Sequence, residues 1–266
     1  MTMHSLPMDE VADALRELSA DIVLPRFRNL QSDDVQEKSP GDLVTVADLE
    51  MEAALTLRLL ALIPGSTVVG EEACAANPGL LSSVATGWVW VVDPVDGTIN
   101  FAEGREDFAT MVALLREGEA VAAWIFQPTA HRLFAAEKGA GSSADGGLVE
   151  IAPRNGGPLQ GMVSTRYVPT PFKDAVARVD HDLATLEEGR ASGVDYPALV
   201  GGDFDFLFYW RIFPWDHVPG SLIVTEAGGH VARLDGSPYR ASDPQPGLLV
   251  AASAATWNAA RKLLPK

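Results

Sequence analysis

Asp93-Pro94-Val95-Asp96-Gly97-Thr98 is the stretch around which this chain is organised. It follows Trp88–Val92, an apolar run that reads as a buried strand. Two carboxylates three residues apart at a strand exit let backbone and side-chain oxygens converge. A hard cation such as Mg²⁺ requires that oxygen-only environment. The competing reading is a surface turn, because Asp-Pro and Asp-Gly are frequent turn dipeptides.

Upstream, Ser66–Val69 reads as a short strand with Gly70-Glu71-Glu72 at its exit, after a helix that Pro64-Gly65 ends. Acidic pairs are usually solvated, yet a carboxylate at a strand end is what a site built from Asp93 and Asp96 needs. Asp48 opens the preceding helix through Ile63 and is placed as its N-cap, a purely structural role that competes with a catalytic one. Before it, Leu43–Val46 is apolar, Gln31–Gly41 reads as a mobile polar loop, and Pro7–Leu30 has a helical period. Between the strands, Asn77–Thr86 reads as loop with a short helix.

Downstream, Phe101–Gly104 reads as a loop. Phe108–Leu115, Ala120–Gln127 and His131–Ala136 then alternate with turn signals, as in an antiparallel meander. His131 has no partner nearby in sequence and is expected to be structural or exposed. Gly139–Gly147, with several glycines, reads as a flexible surface loop. Gly156-Gly157-Pro158 is the best boundary, dividing the chain into a metal-site half, 1–157, and an α/β half, 158–266, that completes the site. In that second half Met162–Thr165, Phe204–Trp210 and Leu248–Ala251 read as strands. Pro171–Glu188, Asp195–Gly201, Val218–Ala227 and Ala254–Leu264 read as helices. Strands and helices interleave after the meander, so the class is α/β with an antiparallel part.

Bulk properties narrow the function. The 266 residues can bury a large core, and 47% are hydrophobic, ordinary for a globular enzyme. A formal net charge of −16 argues against binding a phosphate backbone, so nucleic acid is excluded as a main partner. No apolar run approaches the ~18 residues that span a bilayer, and Met1–Pro7 shows no basic segment leading into an apolar core, so neither membrane span nor signal peptide is expected. The single cysteine, Cys74, excludes an internal disulfide and fits a reducing cytoplasm. Its acidic neighbours Glu71 and Glu72 make a nucleophilic thiol improbable.

Four segments in order resemble the inositol monophosphatase family. They are Asp42-Leu-Val-Thr-Val-Ala-Asp48, Gly70-Glu71-Glu72, Asp93-Pro-Val-Asp-Gly-Thr98, and Trp215-Asp216-His-Val-Pro-Gly220 leading to Glu226-Ala-Gly-Gly229. The resemblance implies an αβαβα layered sandwich, with the antiparallel meander in the first half and a mixed sheet in the second. It further implies a homodimer and a Mg²⁺-dependent phosphatase, inhibited by lithium, acting on a small phosphorylated metabolite. Carried over by position, Glu71, Asp93 and the Val95 carbonyl would hold a first metal, and Asp93, Asp96 and Asp216 a second. Asp48 matches the acid that orients Thr98, a pair resembling the relay that activates the attacking water, with Glu71 at the same centre. The amides of Gly97 and Thr98 match a phosphate-binding backbone.

The chemistry is coherent with that resemblance. A phosphate monoester repels an anionic nucleophile, so cations must neutralise it and acidify a water. Five carboxylates in one site repel each other unless cations separate them. No Cys or Ser stands beside a base, which favours direct attack by water over a phosphoenzyme. Two departures touch the substrate. Tyr209 stands where inositol-cleaving members carry a Glu that binds ring hydroxyls, and Arg190-Ala191-Ser192-Gly193 replaces a Gly-Ser-Ala-type substrate loop, although Asp195 after it still matches. Arg211, two residues beyond Tyr209, would share its face if the strand extended that far, there to meet a second anion or stack on a ring; otherwise it is a solvated loop residue. Inositol monophosphate, histidinol phosphate, a sugar bisphosphate and a 3′-phosphonucleotide all stay open as substrates. So does a non-catalytic metal-binding or interaction role on the same scaffold.

Overall fold

The computed structural model describes residues 6–39, 41–152, 157–179, 183 and 185–265. Helix α1 (Met8–Leu18) continues through a π-helical turn, Ser19–Val23, and is followed by a hairpin of β1 (Val35–Ser39) and β2 (Asp42–Thr45). The hairpin replaces the mobile loop expected over Gln31–Gly41; its strands are short and largely polar, and Gly41 turns between them at a φ of 77°. Helix α2 (Val46–Leu62) comes next, capped by Thr45 and not by Asp48. Thr45 accepts from Ala47 while Asp48, three residues into the box, accepts from the Thr45 amide. This is a reciprocal capping box.

The larger sheet runs in the order β3 (Thr67–Gly70), β4 (Trp88–Asp96), β5 (Ala109–Arg116), β6 (Glu119–Gln127), β7 (Arg132–Glu137), β8 (Gly141–Ala144) and β9 (Gly147–Val149). β3 lies parallel to β4, and the rest is an antiparallel meander. The meander extends two strands past the expected one. Gly139–Gly147 is a paired ribbon, held where Glu226 accepts from the amides of Gly139 and Gly141. Short helices α3 (Glu71–Ala76) and α4 (Thr98–Ala102) leave the ends of β3 and β4, so Phe101–Gly104 is partly helical. His131 is exposed.

The second sheet has the order β11 (Thr185–Glu188), β10 (Gln160–Val163), β12 (Phe206–Tyr209), β14 (Leu248–Ala251) and β13 (His230–Arg233). It is mixed, with β10 parallel to both neighbours and β14 antiparallel to both of its own. Helix α5 (Thr170–Val179) stops where Pro171–Glu188 was expected to continue, and Thr185–Glu188 pairs as strand instead. Residue 156 of the expected boundary lies outside the described residues.

Period-two burial sets the layers. On β4, Trp90 and Val92 face a core shared with α1 and α2, whereas Val89 and Val91 face a central core. Helices α6 (Ser192–Gly201) and α7 (Pro214–Glu226) fill that central layer and bring Tyr196, Leu199, Ile223 and Val224 against both sheets. Helix α8 (Ala254–Leu263) and α5 close the far face of the second sheet through Trp257 and Phe172. The result is the αβαβα sandwich, with its central core drawn from both halves of the chain.

Candidate active site

The acidic motif is built on a fault in the sheet. β4 pairs Asp93 with Met111 and Asp96 with Ala109, so three steps on β4 match two on β5. In a regular strand residues three apart point to opposite faces; the bulge turns both carboxylates into one cavity. Thr110 satisfies the bulge by donating to the Pro94 carbonyl at 2.8 Å. Gly97 then takes a φ of 85°, and a Cβ there would meet the Asp107 carbonyl at 2.7 Å. Only glycine combines that left-handed backbone with so close an approach.

Glu71 reaches the same place from the end of β3. Glu52, one turn after Asp48 on α2, accepts from the amides of Glu72 and Ala73 at 2.8 Å each and so fixes the start of α3. A Cβ on the preceding Gly70 would sit 2.3 Å from the Glu52 carboxylate, so a larger residue there would push that carboxylate off the two amides. Asp216 arrives from the first turn of α7, which Pro214 opens, so an acid sits at the positive end of the helix dipole.

Glu71, Asp93 and Asp216 bring carboxylate oxygens within 4.8 Å of one another. Asp93 is buried, and its Oδ1 has no hydrogen-bond partner among the described residues. Burial, then repulsion from Glu71, pushes the carboxyls of Asp93 and Asp216 well above the usual range. Three converging carboxylates with a buried oxygen left unpartnered among them are oxygen donors that could hold a divalent cation. Asp96 stands apart from that trio: its Oδ2 accepts from the Gly193 amide at 2.6 Å, and burial raises it to about 6 against that bond.

The remaining expected residues gather around the trio. Asp48 is wholly buried behind the cavity wall. Its Oδ2 accepts from the Thr45 hydroxyl at 2.5 Å and its Oδ1 faces the Thr98 hydroxyl at 3.1 Å. Burial raises its carboxyl to about 6, against the hydrogen bonds from Thr45. Thr98 also reaches the Val95 carbonyl at 3.0 Å, so one hydroxyl proton has two acceptors. Val95, Gly97, Asp195, Tyr209 and Arg211 all line the cavity, which measures about 610 Å³.

Tyr209 is buried, its ring 5.6 Å from that of Tyr196 and 4.5 Å from that of His217, and its hydroxyl has no partner among the described residues. Asp195 is similarly buried with Oδ2 unpartnered, and burial outweighs Arg190 to raise it to about 7. β12 ends at Tyr209, so Arg211 is not on its strand face. Arg211 reaches the cavity from the bend before α7, half-buried against rings.

Sequence reasoning missed Lys38. Its ammonium lies 2.8 Å from Glu71 and 2.9 Å from Glu72, delivered by the hairpin. Burial would lower its pKa, but attraction to Glu71 and the bonds to both acids hold it above its ordinary value. A lone lysine in a polar run carries no signal of this; only the pairing of β1 with β2 does. Arg166 and Tyr167, also on the cavity wall, were missed for the same reason, lying in a turn after β10.

Comparisons with known proteins identify the family and the fold. Residues 6–266 match the model of the inositol monophosphatase family. A fructose-1,6-bisphosphatase/inositol-1-monophosphatase of Aquifex aeolicus is 27% identical over 239 residues, 88% of each chain. A Nus factor SuhB of Xylella fastidiosa is 31% identical over 226 residues, 82% of this chain and 79% of its own. The crystal structure of the extragenic suppressor protein SuhB from Bartonella henselae superposes with a TM-score of 0.82 at 22% identity, covering 97% of this chain and 98% of that one. It shares the fold. From the first acidic motif to the last, this chain belongs to the inositol monophosphatase family.

Proposed function

We propose that the protein is a Mg²⁺-dependent phosphatase that hydrolyses a small-molecule phosphate monoester by direct attack of water. The observation that carries this reading is the Glu71–Asp93–Asp216 convergence around an orphaned Asp93 oxygen. Glu71, Asp93, Asp216, Asp96 and the Val95 carbonyl would hold the ions. Bound there, Mg²⁺ would neutralise phosphoryl charge and acidify a water.

The chain's own residues supply position and proton transfer. Asp48, fixed by Thr45, orients the Thr98 hydroxyl so that it can accept a hydrogen bond from the incoming water and pass its own proton toward Asp48. Amides of Gly97 and Thr98, at the turn after the bulge, would meet phosphoryl oxygens. Asp195 and Tyr209 offer an unpartnered acceptor and an unpartnered hydroxyl to the leaving group. A phenol in place of a carboxylate cannot accept from two vicinal hydroxyls, so inositol phosphate is disfavoured relative to other phosphorylated metabolites.

The relative named as a Nus factor keeps a second reading open, a non-catalytic role on the same scaffold. The full set of site carboxylates favours the enzyme. The test is phosphate release from inositol 1-phosphate, histidinol phosphate, fructose 1,6-bisphosphate and a 3′-phosphonucleotide, with Mg²⁺ and with chelator. Turnover of at least one, abolished by chelator, is expected; no release from any by folded protein would support the second reading.

A further inference from the structure

We propose that the N–H edge of the Arg211 guanidinium receives a second anionic group, phosphate or carboxylate, carried by the leaving group of the substrate. This rests on the phosphatase reading above and adds to it a substrate class, phosphomonoesters with two anionic ends.

Arg211 sits between two cavities, the active-site cavity and an adjoining one of about 520 Å³ that extends past Phe213 and Pro214. Its backbone is anchored. A carbonyl can only accept, so His217 Nε2 donates to the Arg211 carbonyl at 3.1 Å, and Nδ1 of the same ring meets the Tyr196 hydroxyl at 3.1 Å. Its side chain is anchored as well. The guanidinium carbon lies 3.7 Å from the Tyr167 ring centroid and 4.9 Å from that of Phe213.

Rings of this chain therefore already make its stacking contacts, while its N–H groups make no hydrogen bond or ion pair with any described residue. The neighbouring cations are committed. Arg105 pairs with Glu103 at 2.7 Å, Arg190 with Asp195 at 3.5 Å, Lys38 with Glu71 and Glu72, and Arg166 donates to the Gly41 carbonyl. The Arg211 guanidinium attracts the Asp216 carboxylate without a hydrogen bond or ion pair to it, so its fork still has N–H groups for a planar carboxylate or a phosphate, and would bind a neutral hydroxyl less well.

Two matched pairs separate the sources: fructose 1,6-bisphosphate against fructose 1-phosphate, and 2-phosphoglycerate against glycerol 2-phosphate. At least one member carrying the second anionic group should be favoured about tenfold or more in kcat/KM. The ratio should fall toward one in Arg211→Met and lie between in Arg211→Lys, which keeps the charge but loses the fork. Calorimetric titration of the same pairs in Ca²⁺ reads the preference without turnover, in wild type and Arg211→Lys should Arg211→Met not fold. Ratios near one for both pairs in wild type, or a ratio that survives the loss of the guanidinium, overturn the proposal. A binding preference that needs Arg211, with no hydrolysis of any ester, overturns the phosphatase reading and leaves the anion site standing.

Discussion

Asp93→Asn should make the metal-free protein more stable and the metal-loaded protein inert. At 4.8 Å or less, each ionised carboxylate pair repels by about 3 kcal/mol or more at an effective dielectric of ~20. Asp93 belongs to two such pairs, with Glu71 and with Asp216. Protonation already relieves part of this, because burial and Glu71 push the Asp93 carboxyl well upward. A net gain of about 1–3 kcal/mol in the chelated protein is the expected remainder, or about 3–10 °C in Tm for a chain of this size. In wild type, Mg²⁺ at a hundred times its Kd should add about 2.7 kcal/mol. In Asp93→Asn that increment should nearly vanish, and kcat/KM should fall by several orders of magnitude. Calorimetric scans at pH 8 in chelator and in saturating Mg²⁺, on both proteins, provide the four numbers. A metal-free Tm below wild type, or a Mg²⁺ increment equal to wild type, would refute the electrostatic reasoning.

Other outcomes follow from the same site. Li⁺ fits an oxygen site at half the charge, so millimolar lithium should slow Mg²⁺-supported turnover; rates indifferent to lithium would place the chain outside the sensitive branch. Tyr209→Glu should raise kcat/KM for inositol 1-phosphate relative to the other esters. Losing the ring contacts with Tyr196 and His217 should cost stability by roughly 3 kcal/mol; a wild type that prefers inositol phosphate, unimproved by the change, contradicts the specificity assignment. Without metal, stability should fall as pH rises. Asp48 and Asp96 are lifted from 3.8 to about 6, Asp195 to about 7, and Asp93 and Asp216 are raised as well, so the folded state holds protons the unfolded state has lost. That contribution is complete below about pH 4 and disappears as pH climbs through 6 and above. His217, lowered from 6.5 to about 3, acts oppositely and only below about 6.5. Between pH 6.5 and 8 the chelated Tm should therefore decline, and saturating Mg²⁺ should flatten the slope; a flat chelated profile would contradict it.

The motif residues were legible because each carboxylate follows an apolar run or opens a helix, and local pattern reports both. What local pattern cannot report is register. The bulge that turns Asp93 and Asp96 the same way is decided by pairing with β5, and nothing within Asp93–Thr98 encodes it. The hairpin carrying Lys38 was read as loop because its strands are short and polar, stabilised by each other. Helical periodicity ran on through Pro171–Glu188, where parallel pairing with β10 draws Thr185–Glu188 into the sheet. The cap at Thr45 was legible after all, as a Thr-x-x-Asp box; Asp48 drew attention as the acid and hid the residue that caps. Arg211 reached the cavity by a bend and ring contacts, where strand alternation had been the only available reason to place it there.

The central claim is that the Glu71–Asp93–Asp216 cluster holds the cation that meets the phosphoryl group. Mn²⁺ can stand in for Mg²⁺ as a hard cation with oxygen ligands, and its unpaired electrons report a phosphorus nucleus that is directly coordinated. Pulsed ³¹P electron–nuclear double resonance on the wild-type protein with Mn²⁺ and inorganic phosphate should show a strong phosphorus coupling. That coupling should be lost in Asp93→Asn. Mn²⁺ bound to wild type with no phosphorus coupling, or a coupling undiminished in Asp93→Asn, would contradict the account.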